Sequence, residues 1–177
     1  MTHSAITSLA SPTWLTQHVP EAYADLLKGW SSNEFDTTNV SLEMLLKRMA
    51  EALRKSPDYL GCELGWQLQP TAYGDVGLAM MCSSTLSQCL ELLEKFAPLV
   101  SLGVSSFDVT IKNDRCTIHH MVTPWVAPDI QNLWNDICLF SWRRSFHFLL
   151  EGRFESLICL NHPAPEKYDS RLLHSRF

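Results

Sequence analysis

The sequence predicts an α+β domain, a small antiparallel sheet with a β-hairpin packed against several helices, one of them long and C-terminal. Three observations predict it. Apolar residues recur at helical spacing in three segments before residue 98. They alternate at a period of two between residues 106 and 122. A long stretch after Pro128 is apolar on two sides at helical spacing.

Two helices are predicted in the first part of the chain. Residues 41–55 carry an apolar face, and Pro57 is expected to end this helix. Residues 58–69 form a second, shorter helix that ends near Pro70. Gly61 and Gly65 are four residues apart on one face of it, which permits close approach to a neighbouring backbone.

A third helix is predicted over residues 85–97. Thr85 and Gln88 have the spacing of a capping box, and Pro98 is expected to stop the helix. The segment 73–84 before it, YGDVGLAMMCSS, carries neither the glycine spacing nor the lysine of a P-loop, and no Rossmann fingerprint. We therefore interpret its two serines, with Thr85, as capping residues.

A β-hairpin follows, with the quartet KNDR (residues 112–115) as its turn. The alternation places one set of residues on the core side: Phe107, Val109, Ile111, Cys116, Ile118, His120 and Val122. His119 is expected to point the other way.

The long helix is predicted from Pro128 to Gly152. Because it is apolar on two sides, it is either central to the domain or shared with a partner. The run FESLICL (residues 154–160) is consistent with a buried strand. The sequence predicts one domain over residues 41–177, with residues 1–40 packed on it or preceding it.

Composition excludes several classes of protein. The formal charge is −5, with 14 Lys and Arg against 19 Asp and Glu, so the chain offers little to nucleic acid. Six widely spaced cysteines do not resemble a secreted disulfide scaffold. No signal peptide or membrane-spanning run is visible. Reduced thiols in a cytoplasm are the simplest interpretation.

Several motifs resemble the N-terminal, arabinose-binding-like effector domain of AraC-type transcriptional regulators. The run YLGCELG (residues 59–65) is similar to a helix-borne LGLRLG of that domain. The resemblance continues through the segment after it, in Gly74, Gly77, Ser84 and Thr85. Near the end, HPAP (residues 162–165) and Tyr168 resemble a late H-x-x-P…Y pattern. The likeness runs from about residue 41 to the end.

The resemblance implies a regulatory domain that binds a small effector and forms a homodimer, without a cofactor or a membrane partner. Regulators of this type continue into a DNA-binding domain with two helix-turn-helix units. Because the sequence ends at Phe177, we expect that DNA-binding domain to be missing here, and DNA to be bound only through it.

Polar and aromatic residues of the hairpin, the loop after it and the long helix are the candidates for effector binding, since ligand pockets combine apolar walls with a few polar groups. They are His120, Trp125, Trp142, Arg143 and His147. Each has a structural alternative: His120 and Trp142 as ordinary core residues, and Arg143 with Arg144 as a solvated or salt-bridged pair.

Two other classes of function stay open. A protein-interaction module would use the apolar long helix as a dimer seam and bind no small ligand. An enzyme is disfavoured, because no known signature surrounds any cysteine. A metal site is disfavoured as well, since adjacent His119 and His120 point to opposite faces of a strand.

Overall fold

The computed structural model describes residues 42–55, 59–101, 103–113, 115–151, 156 and 158–162. The predicted α+β class is confirmed. The predictions for residues 1–40 and for Tyr168 lie outside the described residues. In chain order the elements are α1 (Leu42–Lys55), α2 (Leu60–Gln67), a 3₁₀ helix (Pro70–Tyr73), α3 (Gly74–Met81), α4 (Leu86–Val100), β1 (Ser105–Lys112), β2 (Arg115–Val122) and α5 (Pro128–Leu149).

Helix α5 is the central element of the fold. Its 22 residues span about 33 Å at 1.5 Å per residue. It contacts α1, α2 and β2, and its buried side chains belong to all three apolar clusters of the core. The first apolar stripe, with Ile130 and Leu133, and the inner part of the second, with Trp142 and Phe146, are buried. Of the two roles predicted for the long helix, the structure shows the central one.

The glycines of α2 allow it to approach α5 closely, as predicted. A Cβ atom at Gly61 would lie 2.6 Å from Asp136 Cβ and 2.9 Å from the Leu133 carbonyl oxygen. A Cβ atom at Gly65 would lie 2.5 Å from the Ile137 carbonyl oxygen. These distances are too short for any side chain, so two helical backbones are in direct contact here.

The segment before α4 contains a helix that the sequence did not predict. Gly74, with φ +57°, starts α3 directly after the 3₁₀ helix. A Cβ atom at Gly77 would lie 1.7 Å from the Pro70 carbonyl oxygen, so only glycine permits this close turn. The capping role predicted for Ser83 takes another form, because its Oγ donates to the Ala79 carbonyl within the last turn of α3, at 3.0 Å.

Helix α4 begins at its predicted cap but runs past its predicted end. Thr85 Oγ1 accepts the N–H of Gln88 at 3.2 Å, and Gln88 Oε1 accepts the N–H of Ser84 at 3.1 Å. Pro98 lies inside the helix, which ends at Val100. The proline removes one hydrogen bond to the Glu94 carbonyl, and the exposure of both residues lets water replace it.

The hairpin has the predicted strands and face. Phe107 pairs with His120 and Asp108 with exposed His119 across an antiparallel register. Asn113 takes the turn conformation with φ +49°. Burial declines along the inner face towards the turn, because Phe107 is 6% exposed whereas Ile111 is 56% exposed.

Two predictions about the C-terminal part are wrong. Helix α5 ends at Leu149, three residues before Gly152, which lies outside the described residues, and Glu151 has a positive φ of +51°. Residues 156 and 158–160 belong to no strand. The apolar character of this run instead reflects burial of Ile158 against Cys62 and Phe140. Apolar periodicity reports burial, and a short buried run need not pair its backbone.

The α2–α5 contact predicts the effect of Gly65→Ala. Alanine is the better helix former by about 1 kcal/mol, but its methyl group overlaps the Ile137 carbonyl oxygen and Phe140 Cβ. We expect a net loss of about 1–3 kcal/mol in the free energy of unfolding, measured by urea denaturation.

The matched control is Ala79→Gly on the exposed side of α3, which changes only helix propensity and costs about 1 kcal/mol. A Gly65→Ala variant more stable than wild type would show that α2 does not need this close approach.

The cap of α4 predicts a loss of about 1 kcal/mol for Thr85→Ala, because the N–H of Gln88 loses its acceptor. Ser84→Ala is the control, since only the backbone N–H of Ser84 takes part in the cap. Equal unfolding free energies for the two variants would contradict the capping role of the Thr85 hydroxyl.

Candidate ligand site

Two of the five predicted effector-binding residues meet between the hairpin and α5. His120 on β2 lies against the Phe107 ring, with ring centroids 4.7 Å apart. Trp142 on α5 meets the same Phe107 ring edge-on, at 5.5 Å between centroids. Because Phe107 contacts both side chains, the two strands and the helix form one aromatic cluster.

His120 is held in a neutral form. Its Nδ1 lies 2.7 Å from Asn135 Oδ1 on α5. Burial lowers the pKa of the imidazole to about 4, although the Asn135 hydrogen bond acts in the opposite direction. With the carbonyl oxygen of Asn135 as acceptor, Nδ1 carries the proton and Nε2 is left as an acceptor. This buried Nε2 has no hydrogen-bond partner among the described residues.

Tyr73 belongs to the same aromatic cluster. Its ring stacks on Trp142 with centroids 4.9 Å apart and planes 13° from parallel. The Tyr73 hydroxyl is hydrogen-bonded to Ser141 Oγ, and Ser141 Oγ donates to the Cys138 carbonyl at 2.9 Å. Burial raises the pKa of the tyrosine hydroxyl, so it stays protonated.

Ser145 lies one turn after Ser141 and is fully buried. Its hydroxyl oxygen has no hydrogen-bond partner in the described part of the chain. Two serines at i and i+4 give the inner face of α5 a polar strip within an aromatic cluster. Buried hydroxyls ordinarily find a partner, and Ser141 has two whereas Ser145 is an exception among the described residues.

The other three predicted residues lie elsewhere. Trp125 is in the loop before α5 and is 61% exposed. Arg143 is half-buried and His147 is exposed. These two are four residues apart on α5, about 100° and about 140° around the helix from Trp142, respectively. Their roles in effector binding stay predictions.

A concavity of about 530 Å³ lies on the hairpin surface, away from the aromatic cluster. It is lined by Thr110, Lys112, Asn113, Arg115 and Thr117, which include none of the predicted ligand residues. Lys112 faces Arg115 across the strands. Exposed cations beside a turn are ordinary surface chemistry, and we assign no ligand to this concavity.

A second buried polar group lies on α5 beside the site. The Asp136 carboxylate accepts a hydrogen bond from His162 Nε2 at 3.0 Å, and both side chains are largely buried. Burial raises the pKa of Asp136, opposed by His162 and by a hydrogen bond from Cys62. His162 was noted in the sequence only as part of the late motif, and its partner was not predicted.

Sequence reasoning missed Asn135 and Asp136 as partners of the two histidines, and it missed Tyr73 as a member of the aromatic cluster. A signal was present for the first pair, because two adjacent polar residues interrupt an apolar helix. Polar residues at core positions indicate a partner or a function. Tyr73 carried no such signal, because its distance in sequence from Trp142 hides the contact.

All six cysteines are free thiols. In the described ranges, no group of three or more His, Cys, Asp or Glu is arranged to hold a metal ion. The described helices include none that is long and apolar enough to cross a membrane.

A comparison with protein families gives a match over most of the chain. The family described as the arabinose-binding domain of AraC transcription regulators, N-terminal, matches residues 36–175, which is most of the chain. No curated protein matches it. The family match spans the α2 glycines, the hairpin, α5 and His162, the parts of the chain that build the site. This chain therefore belongs to the family of N-terminal, arabinose-binding-type domains of AraC transcription regulators.

Proposed function

We propose that this domain senses a small effector at the cluster between the hairpin and α5, and thereby controls a C-terminal DNA-binding domain outside this sequence. The observation that carries the proposal is His120 Nε2, a buried acceptor without a partner among the described residues. Buried polar groups in native proteins are nearly always satisfied, so this nitrogen suits a hydrogen-bond donor from a ligand. The family's regulatory role supports the same conclusion.

The chemistry of the cluster selects the class of effector. The cluster contains the rings of Tyr73, Phe107 and Trp142, and His120 is neutral at physiological pH. A charged ligand would lose its hydration here without gaining a counter-ion from these residues. We infer an uncharged molecule with an apolar or aromatic body and one O–H or N–H donor for Nε2.

A thermal-shift screen tests this proposal. We would compare uncharged aromatic and aliphatic alcohols and amides with amino acids, polyamines, fatty acids, sugars and aromatic acids. A ligand at a hundredfold excess over its dissociation constant stabilises the folded state by about 2.7 kcal/mol, which raises Tm by several degrees. We expect the ligands that raise Tm to be uncharged alcohols or amides with an aromatic or aliphatic body.

The site assignment is tested with His120→Phe, which keeps an aromatic ring and removes the acceptor nitrogen. The expected result is loss of the ligand-dependent rise in Tm. His119→Phe on the exposed side of the same strand is the matched control. A ligand that stabilises His120→Phe as well as wild type would place the effector site elsewhere.

The neutral state of His120 predicts a pH dependence of stability. Its pKa is about 4 in the folded state against 6.5 as the ordinary value, so the unfolded state binds more protons between these values. The contribution of the neutral imidazole to the free energy of unfolding is therefore complete above pH 6.5 and is lost as pH falls towards 4. Linkage gives a loss of about 2 kcal/mol between pH 7.5 and pH 5.

This loss is measured by urea denaturation as a difference between wild type and His120→Gln, which keeps every other titratable group. His119→Gln should retain the pH dependence of wild type. If His120→Gln loses as much stability on acidification as wild type does, the imidazole is not held neutral.

The second candidate function is a homodimerisation module, favoured by apolar side chains at the surface. Leu78, Ile111, Trp125 and Phe148 are each more than half exposed. Sedimentation distinguishes the two functions, since the monomer mass is 20.2 kDa. A concentration-independent dimer with no thermal-shift hit favours the module. We place the domain in a cytoplasm, in keeping with its free thiols.

A further inference from the structure

Adjacent residues in the middle of α5 hold histidines from two separate parts of the chain. Asn135 Oδ1 accepts from His120 of the hairpin at 2.7 Å. Asp136 Oδ1 accepts from His162, beyond the end of α5, at 3.0 Å. Consecutive helical side chains point about 100° apart, so one turn of α5 anchors the hairpin on one side and the segment 158–162 on another.

This turn of α5 is confined by its neighbours. Asn135 and Asp136 are 9% and 3% exposed. The backbone of Gly61 packs so closely that a Cβ atom there would lie 2.6 Å from Asp136 Cβ. A turn packed this tightly cannot deform at one residue alone, so a shift imposed at Asn135 moves Asp136 with it. Packed elements of this kind respond by discrete displacements.

The segment 158–162 is attached to α2 and α5 by two contacts. Ile158 is buried against Cys62 and Phe140. His162 adds the hydrogen bond to Asp136, whose carboxylate also accepts from Cys62. Cys62 is only 2% exposed, so its accessibility reports whether this segment stays in place.

We propose that the turn of α5 at Asn135 and Asp136 transmits occupancy of the His120 site to the segment 158–162. The inference rests on the proposed function, because it assigns an output to that site. A donor on Nε2 makes the imidazole a stronger donor to Asn135 through Nδ1 and repositions this turn. The alignment of Asp136 with His162 changes as a result, and the segment is held more or less firmly. Coupling is reciprocal, so release of the segment changes effector affinity by the same factor.

The test measures alkylation of Cys62 by iodoacetamide in the native 177-residue protein, with the labelled peptides quantified by mass spectrometry. Exposed Cys82, which lies outside the segment 158–162, reports the intrinsic rate of reaction. Cys89, buried in the cluster that contains Trp142, reports opening of the rest of the domain. Wild type is compared with His162→Gln, His120→Gln and the control His119→Gln.

Removal of the Asp136–His162 hydrogen bond in His162→Gln is expected to raise the alkylation rate at Cys62 about tenfold relative to that at Cys89. His120→Gln is expected to raise it by a similar factor, within the range of about 5-fold to 150-fold typical of coupled sites. His119→Gln should leave it unchanged. Should His120→Gln fail to fold, Asn135→Ala breaks the same contact and should give the same result.

A rate at Cys62 that rises in His162→Gln but stays at the wild-type value in His120→Gln overturns the coupling. An unchanged alkylation rate at Cys62 in His162→Gln shows that the Asp136–His162 hydrogen bond does not hold the segment in place. These results are independent of the thermal-shift screen. If a ligand raises Tm through His120 but the alkylation rate at Cys62 does not change in His120→Gln, the proposed function stands and only this inference is removed. If the alkylation rate at Cys62 shows the coupling but no ligand raises Tm, the sensing role is removed.

Discussion

The close packing of α2 on α5 is the constraint on which the rest of the structure depends. Gly61 and Gly65 bring two helical backbones into contact, with no space for a Cβ atom at either position. This contact sets where α5 lies, and α5 carries the residues of every apolar cluster. Because interiors are packed to crystal-like density, a displacement at this contact is felt along the whole helix.

Helix α5 buries several polar side chains among its apolar ones. Asn135, Asp136, Ser141 and Ser145 are all buried, yet only the first three have partners among the described residues. Buried polar groups cost stability unless they are hydrogen-bonded, so a core built only for stability would hold apolar residues here. Two of these residues hold histidines from different parts of the chain, which joins the hairpin, the helix and the segment 158–162.

Much of the fold could be predicted from local patterns. The boundaries of α1 and α2, the cap at Thr85 and both strands follow from periodicity and turn chemistry, which act over a few residues. Helix α3 was missed because its glycines mask a helical pattern. The prediction that α4 ends before Pro98 is wrong, because the exposed last turn of this helix tolerates a proline. Of the site, His120 and Trp142 are both among the residues predicted from the sequence, but Tyr73 and Asn135 are not.

The sequence by itself determined the fold class and the inward face of the hairpin, and it indicated that Gly61 and Gly65 permit a close backbone approach. Periodicity and the missing side chain of glycine act locally, so both can be read from the sequence. Only the tertiary structure decided that His120 meets Asn135, that His162 meets Asp136 and that Trp125 remains exposed. Such pairings join residues that local rules do not relate. They arise from how α5 lies against its neighbours, which depends on the packing of the whole chain.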